Sequence, residues 1–257
     1  MEAIEHPSPL VALINLLFAP LGIHVPDHMV FVGLVTLFIL FIGLAIRSSL
    51  SVENPGKLQI VLEDIVSFLS GALTDNMGPK GKRFLPLLGT IFIFILLSNL
   101  MGQIPGLGSP TSNINVPVAL ALTLWLYYHF EGIRANGIVN YIKHFAVMPG
   151  VPIIMSPLIF VIEIISHLSR VLSLTLRLFG NIFGEHLVVL IIASIVPFIA
   201  PLPIQFLGLI VGPLQAFIFF TLGAIYLTAA THVDDHGDEM GGEHPHAHAA
   251  GEHAHSH

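Results

Sequence analysis

Long stretches of this chain carry no charge at all, and their lengths repeat. Met29–Ile46 and Phe84–Met101 are uncharged runs, each long enough to cross a bilayer, which takes about 17–25 residues as a helix. Val116–Phe130 is shorter and ends in Trp125, Tyr127 and Tyr128, aromatics suited to a water–lipid boundary. Two longer apolar segments follow, roughly 158–196 and 204–230. Between the first two runs, Leu58, Leu62, Ile65, Leu69 and Leu73 recur at helical spacing, with Glu63, Ser67, Ser70 and Thr74 on the other face. That pattern predicts an amphipathic helix over 58–75, lying on a membrane surface or packed against another subunit. The pattern therefore predicts an all-α polytopic membrane protein with about five transmembrane helices and one interfacial helix.

The fourth segment is too long for an upright span. Ser156-Pro157 opens it as a helix start, and no proline interrupts it before Pro197. About 39 residues at ~1.5 Å each reach about 58 Å, against a hydrocarbon core of ~30 Å. The segment must be strongly tilted, bent or broken. The fifth contains Pro213 and is also over-long, so the chain is expected to end in a tilted hairpin of two long helices.

Composition narrows the class. Hydrophobic residues make up 54% of the 257, charged residues only 10%, and the mean hydropathy is +0.85. A soluble domain carries about 25% charge. Cysteine is absent, which excludes disulfides, thiolate nucleophiles and cysteine metal sites. No basic patch favours a nucleic-acid partner. Arg47, Lys57, Lys80, Lys82 and Arg83 lie between the first two spans, and Arg134 and Lys143 follow the third. The loop 102–115 has no basic residue. The positive-inside rule then places both basic loops in the cytoplasm, the N-terminus outside and the C-terminus inside. Residues 1–28 form an outer-side segment without a basic signal-peptide start. Residues 233–257, rich in His and acid, are expected to be a disordered cytoplasmic tail with weak metal affinity at most. No dedicated metal or cofactor site is expected.

The remaining charges sit where charge is costly. The fourth segment holds Glu163, His167, Arg170, Arg177, Glu185 and His186. A mid-bilayer charge costs about 2.5–3.5 kcal/mol on insertion scales, so such residues point to an ion pathway. At ~100° per residue, Glu163, Arg170 and Arg177 share one stripe with Ser166 and Ser173, and Asn181 lies one turn beyond. Glu163 falls towards the cytoplasm, Glu185 and His186 towards the outside, and Arg177 between. An arginine stays protonated and cannot relay a proton, but it holds a facing carboxylate ionised. A buried Arg–Glu pair joining helices is the structural alternative, and Glu163 with Arg170 offers one. His167, one turn from Glu163, reads as a relay group or as a structural histidine. Gly180, Gly184, Gly208, Gly212 and Gly223 permit close helix approach.

Ser173-Leu-Thr-Leu-Arg177-Leu-Phe-Gly-Asn181-Ile182 resembles the signature of subunit a of F-type ATP synthases. Asn99-Leu100-Met101, Asn113–Pro117, Glu163 and Gln215-Ala-Phe-Ile-Phe219 resemble further parts of that family, over about residues 28–232. The resemblance implies a non-catalytic, proton-translocating stator subunit in a bacterial inner membrane. Its partners would be a c-subunit ring, the peripheral-stalk b subunits and the lipid bilayer. Two half-channels would reach the ring carboxylates, separated by Arg177. Ser173 and Glu163 would line the cytoplasmic one. Asn181, His186 and Gln215 would line the outer one. The chain departs from the family where a glutamate often sits seven residues before the glutamine. That position is Gly208, which leaves Glu185 or water to fill the gap. Two other readings remain: a secondary transporter or solute channel, expected to show inverted repeats, and a non-conducting membrane assembly protein, which would tolerate lysine at Arg177.

Overall fold

The computed structural model describes residues 9–19, 24–51, 55–104, 107–141, 153–196 and 199–231. The acidic start and the His-rich tail lie outside the described residues. Seven helices of ten residues or more are described: α1 Pro9–Phe18, α2 Asp27–Ser49, α3 Lys57–Met77, α4 Leu85–Gly102, α5 Asn115–Asn136, α6 Ser156–Ile195 and α7 Leu202–Thr231. No strand occurs among the described residues. Five segments are long and apolar enough to cross a membrane: Asp27–Arg47, Pro79–Gly102, Asn115–Asn136, Ser156–Ile195 and Leu202–Thr231. The fold is all-helical and polytopic.

Helix ends follow local chemistry. α3 and α5 stop at Gly78 and Gly137, whose φ angles of 69° and 78° suit a residue without Cβ. Each glycine N–H donates back to the helix, Gly78 to the Thr74 carbonyl and Gly137 to that of Ile133, both at 2.8 Å. α5 runs six residues past Phe130. The added turns carry Glu131, buried at 6% exposure, with Arg83 at 3.9 Å and Arg134 at 3.6 Å. That cluster joins the turn before α4 to the end of α5.

The core gathers around α4 and α7. Leu88, Ile91 and Ile95 of α4 meet Phe219, Phe220 and Leu227 of α7, and Leu124 of α5 joins them. Gly223 makes the approach possible: a Cβ there would lie 2.8 Å from Leu88 Cδ2 and 3.2 Å from Leu124 Cδ2. α7 stays helical through Pro213. Next to Pro213 the Asn99 amide donates to the Gly212 carbonyl at 3.1 Å, which ties α4 to α7.

The amphipathic helix α3 divides its apolar face. Leu69 and Leu73 are buried in the core and Phe68 packs on Phe217 at 5.4 Å, whereas Leu58, Val61 and Val66 stay exposed. One half of α3 is thus part of the bundle, and the other half is free for lipid. α2 joins a second, smaller cluster, in which Val30, Phe31 and Val35 pack with Val11 of α1 and Met101 of α4.

α6 is one unbroken helix of 40 residues. Its length, about 60 Å at ~1.5 Å per residue, requires strong tilt within a ~30 Å hydrocarbon layer. It starts at Ser156 with Met155 in the cap position, one residue earlier than the Ser-Pro pattern predicts. α6 leans on α5 and α7, and only 11% of its most apolar window is buried. A broad face bearing Leu158, Ile162, Ile165, Leu172, Leu176 and Leu187 is exposed, uncovered by the other described residues.

Candidate functional site

The charged residues of α6 divide between its two ends. One end faces the part of the bundle that carries Arg83 and Arg134, the basic end. The other faces Gln103 and residues 107–113, between α4 and α5, the loop end. Arg177 lies between them.

At the basic end, Glu163 Oε1 lies 3.3 Å from His167 Nε2 on the same helix, one turn away. His167 Nδ1 lies 2.8 Å from the Tyr128 hydroxyl of α5. His167 and Tyr128 are both buried, at 8% and 1% exposure. The rings of His129 and Tyr226 flank Tyr128 at 4.4 and 6.1 Å. A chain of polar atoms therefore runs from the partly exposed Glu163 inward to Tyr128. Two expectations are corrected here. Tyr128 is a core residue bonded to His167, because the lean of α6 covers it, and it is no boundary aromatic. Arg170 does not pair with Glu163; its guanidinium sits over the Tyr226 ring at 5.0 Å, a cation–π placement, while Glu163 engages His167.

At the loop end the groups are amides, hydroxyls and glycines. Asn181 Nδ2 donates to Gln215 Oε1 at 2.8 Å, joining α6 to α7. Gln215 is buried at 2%, and its own Nε2 has no hydrogen-bond partner among the described residues. One turn further along α6, Glu185 Oε1 accepts from Gln103 Nε2 at 2.8 Å. Glu185 also fills the space beside Gly208, where a Cβ would collide with its carboxylate. His186 turns to the end of α4, where a Gly102 Cβ would lie 3.3 Å from its Nε2. Behind this row, Thr111 donates to Asn99 Oδ1 at 2.8 Å and Ser109 bonds Thr111 at 2.7 Å.

Arg177 is exposed on the open face of α6, with Ser173 and Asn181 one turn to either side. Among the described residues no carboxylate pairs with it. The reading of Arg177 as half of an internal ion pair therefore finds no partner among the described residues. Gly180 beside it is exposed, and a Cβ at Gly180 or Gly184 would meet nothing within 4 Å. Among the described residues these two glycines serve no helix contact, in contrast to Gly208, Gly212 and Gly223.

Of the residues singled out from sequence, the fold brings Asn181 to Gln215 and aligns Glu185 and His186 with α4 and α7. Glu163 and Ser173 lie on the opposite side of Arg177, and Ser173 joins neither cluster. Gln103, Tyr128 and His129 belong to these clusters without having been singled out as site residues. Gln103 is the first polar side chain after the α4 span, which was the available signal. For His129 nothing in the pattern distinguishes it from an ordinary helix-end histidine.

Fold and charges together define an integral, multi-pass membrane protein with ionisable groups on both sides of one central arginine. A family model described as ATP synthase A chain matches residues 28–228. ATP synthase subunit a of Geotalea daltonii is 41% identical over 224 residues, covering 86% of this chain and 96% of the relative. That of Campylobacter jejuni is 42% identical over 217 residues, covering 82% and 93%. That of Nitratidesulfovibrio vulgaris is 46% identical over 189 residues, covering 74% and 79%. The chain belongs to the ATP synthase A chain family.

Proposed function

We propose that this chain is the proton-channel subunit of an F-type ATP synthase, a non-catalytic stator element in which Arg177 separates two half-channels. The observation that carries the reading is the state of Arg177. It is a permanent charge on an exposed helix position, with no counter-ion among the described residues. Left against lipid it would cost about 2.5–3.5 kcal/mol or more. A partner that brings a carboxylate to that face removes the cost. A ring of c subunits, each with one membrane carboxylate, supplies such a partner. The small residues Gly180 and Gly184 and the hydroxyl of Ser173 allow close approach of a helical surface there.

Protons enter from the loop end through Glu185, His186, Asn181 and Gln215 and neutralise a ring carboxylate. The neutral carboxyl travels through lipid as the ring turns. It gives up its proton on the basic side, where Ser173 and Glu163 line the exit. The ionised carboxylate then pairs with Arg177, which cannot accept the proton and so blocks a direct leak. Each charge falling through the field yields ~2.3 kcal/mol per 100 mV, delivered as rotation. Orientation follows from Arg47, Lys57, Lys80, Lys82, Arg83 and Arg134: the basic end faces the cytoplasm and the N-terminus lies outside. The bacterial inner membrane is the location this reading requires, and the peripheral-stalk b subunits are the second expected partner.

The test is ATP-driven proton pumping in inverted vesicles that carry the assembled complex with Arg177→Ala. Pumping is expected to fall to background with passive proton leak retained or raised. Normal pumping would remove the half-channel reading and favour a solute transporter, and normal pumping with Arg177→Lys would favour an assembly role.

A further inference from the structure

The loop end holds an arrangement that the roles above leave unexplained. Glu185 and His186 are adjacent on α6, so their side chains diverge by ~100°. Each is directed to a glycine. Glu185 fills the volume that a side chain at Gly208 would occupy, and His186 Nε2 reaches the place where a side chain at Gly102 would be. Gly208 is buried in α7, so its missing side chain leaves an internal notch. Gln103, next to Gly102 at the end of α4, donates to the Glu185 carboxylate at 2.8 Å, and its Nε2 would lie 2.6 Å from a Gly208 Cβ. Three helices thus converge on one carboxylate oxygen.

We propose that Gly208 and Gln103 are positioning residues for Glu185, seating on α6 the carboxylate that passes protons towards Asn181 and Gln215. The proposal rests on the half-channel reading. The register supports it. Gln215 lies seven residues, two turns, beyond Gly208 on the same face of α7, and Asn181 lies one turn from Glu185 on α6. The contacts Glu185–Gly208 and Asn181–Gln215 are successive rungs between the two helices. An amide donor suits the task, because it fixes the carboxylate orientation without the fixed positive charge that would hold it ionised. A Gln103 N–H and the Gly208 notch thus leave Glu185 able to take up and release a proton from one place.

The experiment uses the assembled complex in inverted vesicles, with pumping measured across a series of lumenal pH values. Assembly is checked by the amount of intact complex and its ATPase activity. Glu185→Ala is expected to lower pumping about tenfold, at the weak end of acid–base effects. Adding Gly208→Glu to Glu185→Ala returns a carboxylate to the same space from α7 and is expected to restore most of the rate. Gln103→Leu is expected to displace the pH profile, with Gln103→Asn intermediate. A Gln103→Leu profile identical to that of the unmodified complex overturns the role of Gln103, whether or not the double variant assembles. Normal pumping by Glu185→Ala, with Arg177→Ala inactive, overturns this inference and leaves the half-channels standing. Normal pumping by Arg177→Ala removes both.

Discussion

The two ends of α6 solve one problem with different materials. Both must hold polar groups within an apolar bundle. At the basic end the solution is aromatic and linear: Glu163 to His167 to Tyr128, walled by His129 and Tyr226. At the loop end it is amide-rich and spread over three helices, with Gln103, Asn181 and Gln215 around Glu185 and the glycine notches. The linear chain is buried and nearly closed. Each end keeps a buried donor without a partner among the described residues, Trp125 Nε1 at the basic end and Gln215 Nε2 at the loop end. The difference teaches that an apolar bundle can house polar groups in two ways, by stacked rings on one line or by amides shared among helices.

This contrast can be broken experimentally. The largest effect is expected from Gln215→Leu, which strips Asn181 of its partner at the loop end. Pumping should fall about tenfold or more in an assembled complex. A near-normal rate would mean that this rung is not needed. Glu163→Gln should act less strongly, since Glu163 is partly exposed and water can replace its contact with His167. The expected result is a reduced but measurable pumping rate, and a loss equal to that of Gln215→Leu would erase the contrast. Coupling energies sharpen it further. Double-mutant cycles on Tyr128→Phe with His167→Leu, and on Asn181→Ala with Gln215→Ala, should each give about 0.6–1.7 kcal/mol in detergent unfolding. The larger value belongs to the buried basic-end pair. The smallest effect on the chain itself is expected for Gly180→Ala. No described residue would meet a methyl at that position, and helix propensity favours alanine by up to about 1 kcal/mol. Stability should hold or rise while pumping drops, because the added methyl meets only the partner that covers Arg177. Unchanged pumping would mean that the partner does not approach there.

Much of the fold was legible because spanning helices announce themselves by the absence of charge. The uncharged cores of α2, α4 and α7, and the uninterrupted run of α6, all translate directly into helices. Periodicity also separates the two faces of α3, but it cannot say that Leu69 and Leu73 meet this chain's own core while Val61 and Val66 do not. The same limit applies to the site. Spacing places Glu163, Ser173, Arg177 and Asn181 along one helix and sets them in order. It cannot report that Arg170 turns to Tyr226, or that Tyr128 lies beneath α6, since both depend on the crossing of helices far apart in sequence. Gln103 shows itself only as a polar residue after a span, since its partner is 82 residues away. Glycines are the most ambiguous letters. Gly180 and Gly223 look alike in the sequence, yet one faces out of the chain and the other is a point of closest packing between three helices.

The collision between Glu185 and any side chain at Gly208 also constrains how this protein can change over generations. The two positions share one volume, so bulk can occupy it from α6 or from α7, but not from both. A lineage that gains a side chain at 208 before shrinking 185 must swing the Glu185 carboxylate out of that volume. The reverse order passes through a form that lacks the carboxylate. The order of substitution matters, and the effect of either change is set by the residue that already stands at the other.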